Sequence, residues 1–322
     1  MPSSVRLAVI LKLTAIECET WSSYLGGLSS WCKFLAYEGR RDEFPPSVAD
    51  IPAYADWAVN IQHIKPTTML DYVAKISALC SRLFPGAKLS QATDLMKDLR
   101  RHYTRHYKSV KLESVPVTDE MIDKCVSYMN LNSVNDLTMR AMAYAGIDGI
   151  MRPTEFAHPG RGRDVVPLSA LTPRWPWKKG SWPEQLKLDL EHTKTKNEGD
   201  DIFVGGAKAL NAINAMLTAR QQLRQSLNDS DPLFADDMGR AMSVKRFGRR
   251  MRELLKSAGF AIAKGARLSY RAGGATMMAK ANVSDTIIKS AGRWKGDSSF
   301  KYIKDRGALR VLSRQQVHRS NK

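Results

Sequence analysis

Between Ala291 and Lys304 the sequence reads AGRWKGDSSFKYIK, which sets Trp294 eight residues before Tyr302 and surrounds both with Arg293, Lys295, Lys301 and Lys304. An ionisable phenol among cations has a chemical use. A Tyr with an ordinary pKa of about 10 becomes a nucleophile once neighbouring positive charge stabilises its phenolate. Further upstream stand Arg271 in RLSYRAGGAT, Arg152 with Glu155 in GIMRPTEF, and Lys194 in EHTKTKNEG. This inventory suits the opening of a phosphodiester without a metal. Oxygens that gain charge are clamped bidentately by planar guanidinium groups, and two such groups do this better than one. The nucleophile is then a side chain, and a Lys can hand a proton to the departing oxygen.

Other chemistries lack their motifs. There is no G-x-x-x-x-G-K-[ST], no G-x-G-x-x-G, no H-E-x-x-H, no zinc spacing and no G-x-S-x-G. Kinase, dehydrogenase, metalloprotease and hydrolase readings are therefore unsupported, and no cofactor is expected.

RLSYRAGGATMMAKANVSDTIIKSAGRWKGDSSFKYIKD, residues 267 to 305, resembles the second-arginine to tyrosine segment of the tyrosine recombinases, most closely the S-x-R-x-G-G-A-T, G-R-W, Y-I variety of mobile elements and some large viral genomes. It is also similar to Cre-like enzymes. The resemblance matches Arg271 to the second catalytic arginine, Trp294 to the position held by His or Trp, and Tyr302 to the nucleophile. GIMRPTEF resembles the first-arginine box, matching Arg152 with Glu155 as supporting acid. EHTKTKNEG sits where the family keeps a catalytic lysine on a hairpin, matching Lys194, with Lys196 as runner-up and DNA contact. Arg293 and Lys295 flank the Trp as further expected DNA contacts. One position departs: the family has His three residues before the second arginine, and Leu268 stands there. Leu neither donates to a phosphate oxygen nor moves a proton, and losing one such donor costs roughly 2.7–4 kcal/mol in rate. Ser269, Tyr270, Arg267 or His192 are the candidates to replace it.

The resemblance covers roughly residues 115 to 305, including DPLFADDMG before a basic helix. It implies a DNA strand-transferase that works through a 3′-phosphotyrosine, as a site-specific recombinase or integrase, with double-stranded DNA as partner and a homotetramer across two sites. Alternatives are a telomere resolvase or type IB topoisomerase, and a domesticated DNA-binding protein impaired by Leu268.

Elements must bring these residues together. The fold expected is mainly α with a small antiparallel β-sheet: a helical core-binding domain over residues 1–108, then a recombinase catalytic domain over 109–322 with a basic tail. In the first half, Trp21, Tyr24, Leu28, Trp31, Phe34 and Leu35 recur at helical spacing and predict one apolar face. Further helices are predicted around VADIPAYADWAVNI and from Pro66 to Pro85-Gly86, the latter with Thr67 or Thr68 as N-cap. Arg100, Arg101, Arg105 and Lys108 alternate with His and Tyr, either as a solvated helix end or as a basic hinge across a phosphate backbone. In the second half, Thr118 opens a helix, DLTMRAMAYAGIDG is an apolar helix, and a short turn then exposes Arg152 and Glu155. DVVPLSAL, LKLDLEHTK and DDIFVGG read as β-like runs, the last two forming a hairpin; the small residues after Arg271 are read as room for a DNA backbone.

Charge agrees with a polyanionic partner. The chain has 322 residues and a net charge of +18, and from Ser243 to Lys322 there are 20 Lys and Arg against 4 Asp and Glu, so that stretch carries +16. Basic faces attract nucleic acid by displacing condensed counterions, and acidic membranes by the same charge. No amphipathic lipid-facing helix or span of membrane length stands out, so no membrane partner is expected. Cys18, Cys32, Cys80 and Cys125 form no C-x-x-C pair, which suits reduced thiols in a nuclear or cytoplasmic protein. VRLAVILKLTA is interrupted by Lys12 and reads as an ordinary helix or arm, not a secretion signal.

Overall fold

The structure is a computed structural model and describes residues 18–40, 46–84, 93–107, 114–158, 160, 165–178, 182–190, 201–263 and 265–294. Two compact units divide between Lys111 and Leu112.

Among the described residues the first unit has four α-helices: α1 (Cys18–Tyr37), α2 (Asp50–Asp56), α3 (Pro66–Leu83) and α4 (Thr93–His106). The apolar face of α1 packs Trp31, Phe34 and Leu35 into a core with Tyr54, Trp57, Met69, Val73, Ile76 and Tyr103. Trp31 lies 5.1 Å from Tyr54 and 5.2 Å from Phe34 between ring centroids, within the range where tilted aromatic pairs add to area burial. The buried Tyr54 hydroxyl donates to Ser30 Oγ at 2.8 Å, and burial pushes its pKa up to about 12. Helix α2 runs on into a π-helical turn, Trp57–Ile61, which keeps Trp57 facing the core. Helix α3 departs from expectation at its start. Lys65 is the N-cap and its carbonyl accepts from the amides of Thr68 and Met69, so Thr67 and Thr68 fall inside the first turn. Pro66 is the cause: its fixed φ and missing N–H suit the first helical position.

In the second unit β1 (Ser114–Pro116) leads into α5 (Asp119–Val126), which Thr118 caps by accepting from the Met121 amide. Helix α6 (Val134–Asp148) follows and is buried on nearly every side, from Val134 to Ile147. A helix buried on most of its sides belongs in the middle of a core, and elements from before and after it in the chain pack against it. After it come α7 (Pro153–Phe156), a 3-10 turn (Leu168–Ala170), β2 (Leu171–Thr172), β3 (Leu186–Leu188), β4 (Ile202–Val204) and α8 (Ala207–Gln222). Next are α9 (Val244–Ser257), β5 (Arg267–Ser269), α10 (Tyr270–Lys280) and α11 (Asp285–Ala291).

The hairpin is present: β3 pairs antiparallel with β4, Leu186 opposite Val204 and Leu188 opposite Ile202, and β2 adds a third antiparallel strand. DVVPLSAL is not a strand along its length, because Pro167 opens the 3-10 turn and only Leu171 and Thr172 join the sheet. A parallel pair that local sequence does not announce joins β1 to β5, with Val115 opposite Leu268. Asp148, at the end of α6, accepts from the amides of Gly205 and Gly206 at 2.6 and 2.8 Å and so ties the entry of α8 to α6.

Helix α9 turns Phe247, Met251, Leu254 and Leu255 inward. Two arginines beside that face are matched by carboxylates: Arg246 meets Asp236 at 2.7 Å and Arg250 meets Asp136 at 3.1 Å. Burial alone would raise the Asp236 carboxyl, but hydrogen bonds from the Arg240 amide and guanidinium, the Met238 amide and Arg246 outweigh it and hold it below its usual range. Lys245, Arg249, Arg252 and Lys256 stay exposed on the same helix. Among the described residues Cys32, Cys80 and Cys125 carry free thiols, and no helix is long and apolar enough to cross a membrane.

Candidate active site

Helix α6 ends at Gly149, and Ile150 then takes φ +48°. A β-branched residue in the left-handed region is strained by about 1–2 kcal/mol. The conformation turns the Ile150 carbonyl toward Arg271, whose Nε donates to it at 3.0 Å. Two residues on, Arg152 caps the short helix α7, Pro153 fills its first position, and Glu155 folds back to accept from the Arg152 amide at 2.7 Å. The Arg152 guanidinium reaches the other oxygen of the same carboxylate at 2.6 Å.

Arg271 arrives from far along the chain. Ser269 caps α10 by accepting from the Ala272 amide, which puts Arg271 in the first turn. Its Nη2 lies 3.3 and 3.4 Å from the two oxygens of Glu155. The approach depends on Gly273 and Gly274. A Cβ on Gly273 would stand 1.7 Å from the Val117 carbonyl oxygen, and one on Gly274 would stand 2.2 Å from that of Ile147. These small residues thus serve backbone packing of α10 on β1 and α6, which corrects their reading as room for DNA.

A third guanidinium meets the same carboxylate: Arg293 Nη2 donates to Glu155 Oε2 at 2.9 Å and Nη1 to the Gly149 carbonyl at 3.3 Å. Trp294 follows, with the Arg271 guanidinium carbon 5.4 Å from its ring centroid, at cation–π range. Glu155 is therefore the hub. Its side chain is 3% exposed, as is that of Arg271, while Arg293 is 9% and Arg152 33% exposed. Arg152 is the member that opens to solvent.

Several expectations are revised. Glu155 is buried, not displayed on a turn, because three arginines from three segments enclose it. Arg293 is not an exposed flank of Trp294 but largely buried, its guanidinium engaged with Glu155 and the end of α6. Leu268 lies half-buried in β5 and packs on the core. Of the candidates to replace a histidine there, Tyr270 is excluded by its place in the core, 1% exposed and ringed by Phe156 and Phe247, where burial drives its phenol well above the ordinary range. Arg267 is exposed, and Ser269 is the helix cap. Arg100, Arg101 and Arg105 are exposed on α4 of the first unit, with Arg101 3.2 Å from Asp98. Tyr302, Lys194, Lys196, Lys295, Lys108 and His192 lie outside the described residues.

No family model and no curated protein matches the sequence. Solved structures do. XerH site-specific recombinase bound to palindromic difH substrate, a post-cleavage complex, aligns with a TM-score of 0.59 at 11% identity over 91% of this chain and 78% of that one. The lambda integrase tetramer bound to a Holliday junction aligns at 0.54 and 14% over 94% and 76%. The fold is that of the tyrosine recombinases. The Tn1549 transposon integrase in complex with circular intermediate DNA shares it, at 0.52 and 12% over 84% and 85%. Within this fold, the GIMRPTEF turn, the N-terminal turn of α10 and the G-R-W turn are the three segments that meet at Glu155. Sequence reasoning missed the role of Arg293. The available signal was a charged residue directly after Gly292, at the end of a helix, where glycine is favoured.

Proposed function

We propose that this chain is a site-specific DNA recombinase or integrase that cleaves and rejoins duplex DNA through a 3′-phosphotyrosine. The observation that carries the proposal is that Arg152 and Arg271, far apart in sequence, share the carboxylate of Glu155. One buried anion thereby holds two planar cations side by side, the arrangement needed to clamp a phosphodiester as its oxygens gain charge. The exposed row Lys245, Arg249, Arg252 and Lys256 on α9 supports a DNA partner, since such cations replace the counterions of a phosphate backbone.

In this reading Tyr302, having released its proton to solvent, attacks the scissile phosphorus. A phosphotyrosyl bond forms as the bond to the 5′-oxygen breaks, and Lys194 supplies the proton that this oxygen takes up. Arg152 and Arg271 hold the charge in transit, with Trp294 stacked against Arg271. The reverse reaction with another 5′-hydroxyl rejoins the strand, and the bond energy is kept in the phosphotyrosine. Assembly of four subunits on two sites belongs to the same proposal.

A second reading has its own observation. Leu268 is a packing residue and no phosphate donor, so the chain could bind DNA without turnover. A nicked suicide duplex, on which the cleaved end diffuses away, separates the two. The recombinase reading expects a denaturant-resistant protein–DNA adduct with the wild-type chain and none with Tyr302→Phe. DNA binding with no adduct by the wild type on any duplex it binds leaves the binder reading standing.

A further inference from the structure

Helix α11 stops in a Schellman turn: the Trp294 amide donates to the Lys289 carbonyl at 3.0 Å and the Arg293 amide to Ser290 at 2.9 Å. The residue at the left-handed position of such a turn is usually Gly, because any side chain there costs about 1 kcal/mol or more. Here it is Arg293, at φ +54°. Its guanidinium joins Glu155 to the Gly149 carbonyl, the group at the electronegative end of α6.

The next residue is placed by this anchor. The Trp294 ring folds back over Gly292, where a Cβ would stand 1.8 Å from a ring carbon, and the same ring faces the Arg271 guanidinium. We infer that Arg293 is a positioning residue: it fastens the end of α11 to the carboxylate shared by Arg152 and Arg271, and so fixes Trp294 against Arg271. The strained backbone at residue 293 is accepted because the guanidinium is needed, not because the turn needs an arginine. The part that concerns catalysis rests on the recombinase reading, while the part that concerns Trp294 does not.

The decisive variant is Arg293→Gly, which suits the turn better than the native residue and deletes only the anchor. Its partner is Arg293→Lys, which keeps a charge but loses the planar fork. Both are made in the full chain labelled with 5-fluorotryptophan, and the fluorine resonance of Trp294 is assigned by its loss in Trp294→Phe. Arg293→Gly is expected to shift that resonance to a solvent-exposed position while the others stay in place, with Arg293→Lys in between. On the suicide duplex, Arg293→Gly is expected to slow adduct formation on the order of 100-fold, the scale of an ångström-sized misplacement, with DNA affinity little changed. A Trp294 resonance that does not move in Arg293→Gly overturns the inference, as does an adduct rate equal to that of an active wild type. Should the wild type form no adduct, the recombinase reading fails by itself, and the fluorine resonance still decides whether Arg293 places Trp294.

Discussion

Glu155→Ala is expected to lower the melting midpoint of the second unit on the order of 10 °C and to abolish adduct formation. The carboxylate is 3% exposed and shared by three guanidiniums, two of them 9% exposed or less. Removing one partner from a buried ion pair costs roughly 3–5 kcal/mol, since the remaining charge keeps its desolvation penalty without its compensation. Here one deletion acts on three cations. Glu155→Gln, which keeps an acceptor oxygen and the volume, should fall between wild type and Ala. Added inorganic phosphate should raise the midpoint of both variants more than that of wild type, because an anion can occupy part of the vacated role. Calorimetry of the three proteins with and without phosphate measures this directly. A Glu155→Ala chain that melts with the wild type would show that the arginines do not depend on that carboxylate.

Gly273→Ala is expected to be strongly damaging to the second unit. The new Cβ would meet the Val117 carbonyl oxygen at 1.7 Å and its carbon at 2.8 Å, and backbone atoms cannot swing aside as a side-chain tip can. Helix α10 must then lift from β1, carrying Arg271 away from Glu155, and a loss above about 4 kcal/mol places it among the exceptional substitutions. Gly248→Ala is the matched control in α9. Its Cβ would meet only the flexible Arg252 Nη1 at 3.4 Å, so the usual helix gain of about 1 kcal/mol should appear. Denaturant unfolding of the pair should therefore move in opposite directions from wild type. Equal, small effects would mean that α10 does not approach β1 and α6 so closely.

Much of this architecture is legible in the chain where the signal is local. The apolar spacing of Trp31, Phe34 and Leu35 marks the buried face of α1, and Thr118 marks the start of α5, since each depends on residues within a turn or two. Strands of two or three residues leave little room for an alternating pattern, so DVVPLSAL misleads and the β1–β5 pairing stays hidden. The site divides in the same way. Arg152 and Arg271 are recognisable from the boxes around them. The burial of Glu155, the anchoring of Arg293 and the use of Gly273 each depend on a contact between segments more than a hundred residues apart, which no local pattern encodes. Arg293 was legible only as one more cation in a basic stretch. Its strained φ and its partner carboxylate appear only in three dimensions.

The pair of guanidiniums held by Glu155 is expected to receive one phosphate of duplex DNA. The most direct measurement is an experimental structure of the full chain with Tyr302→Phe bound to a duplex for which it has measurable affinity. A single backbone phosphate is expected within about 2.7–3.0 Å of donors on both Arg152 and Arg271, with the outer face of α9 along the same duplex. A duplex seated on another face of the second unit, with no phosphate at Arg152 and Arg271, would contradict it.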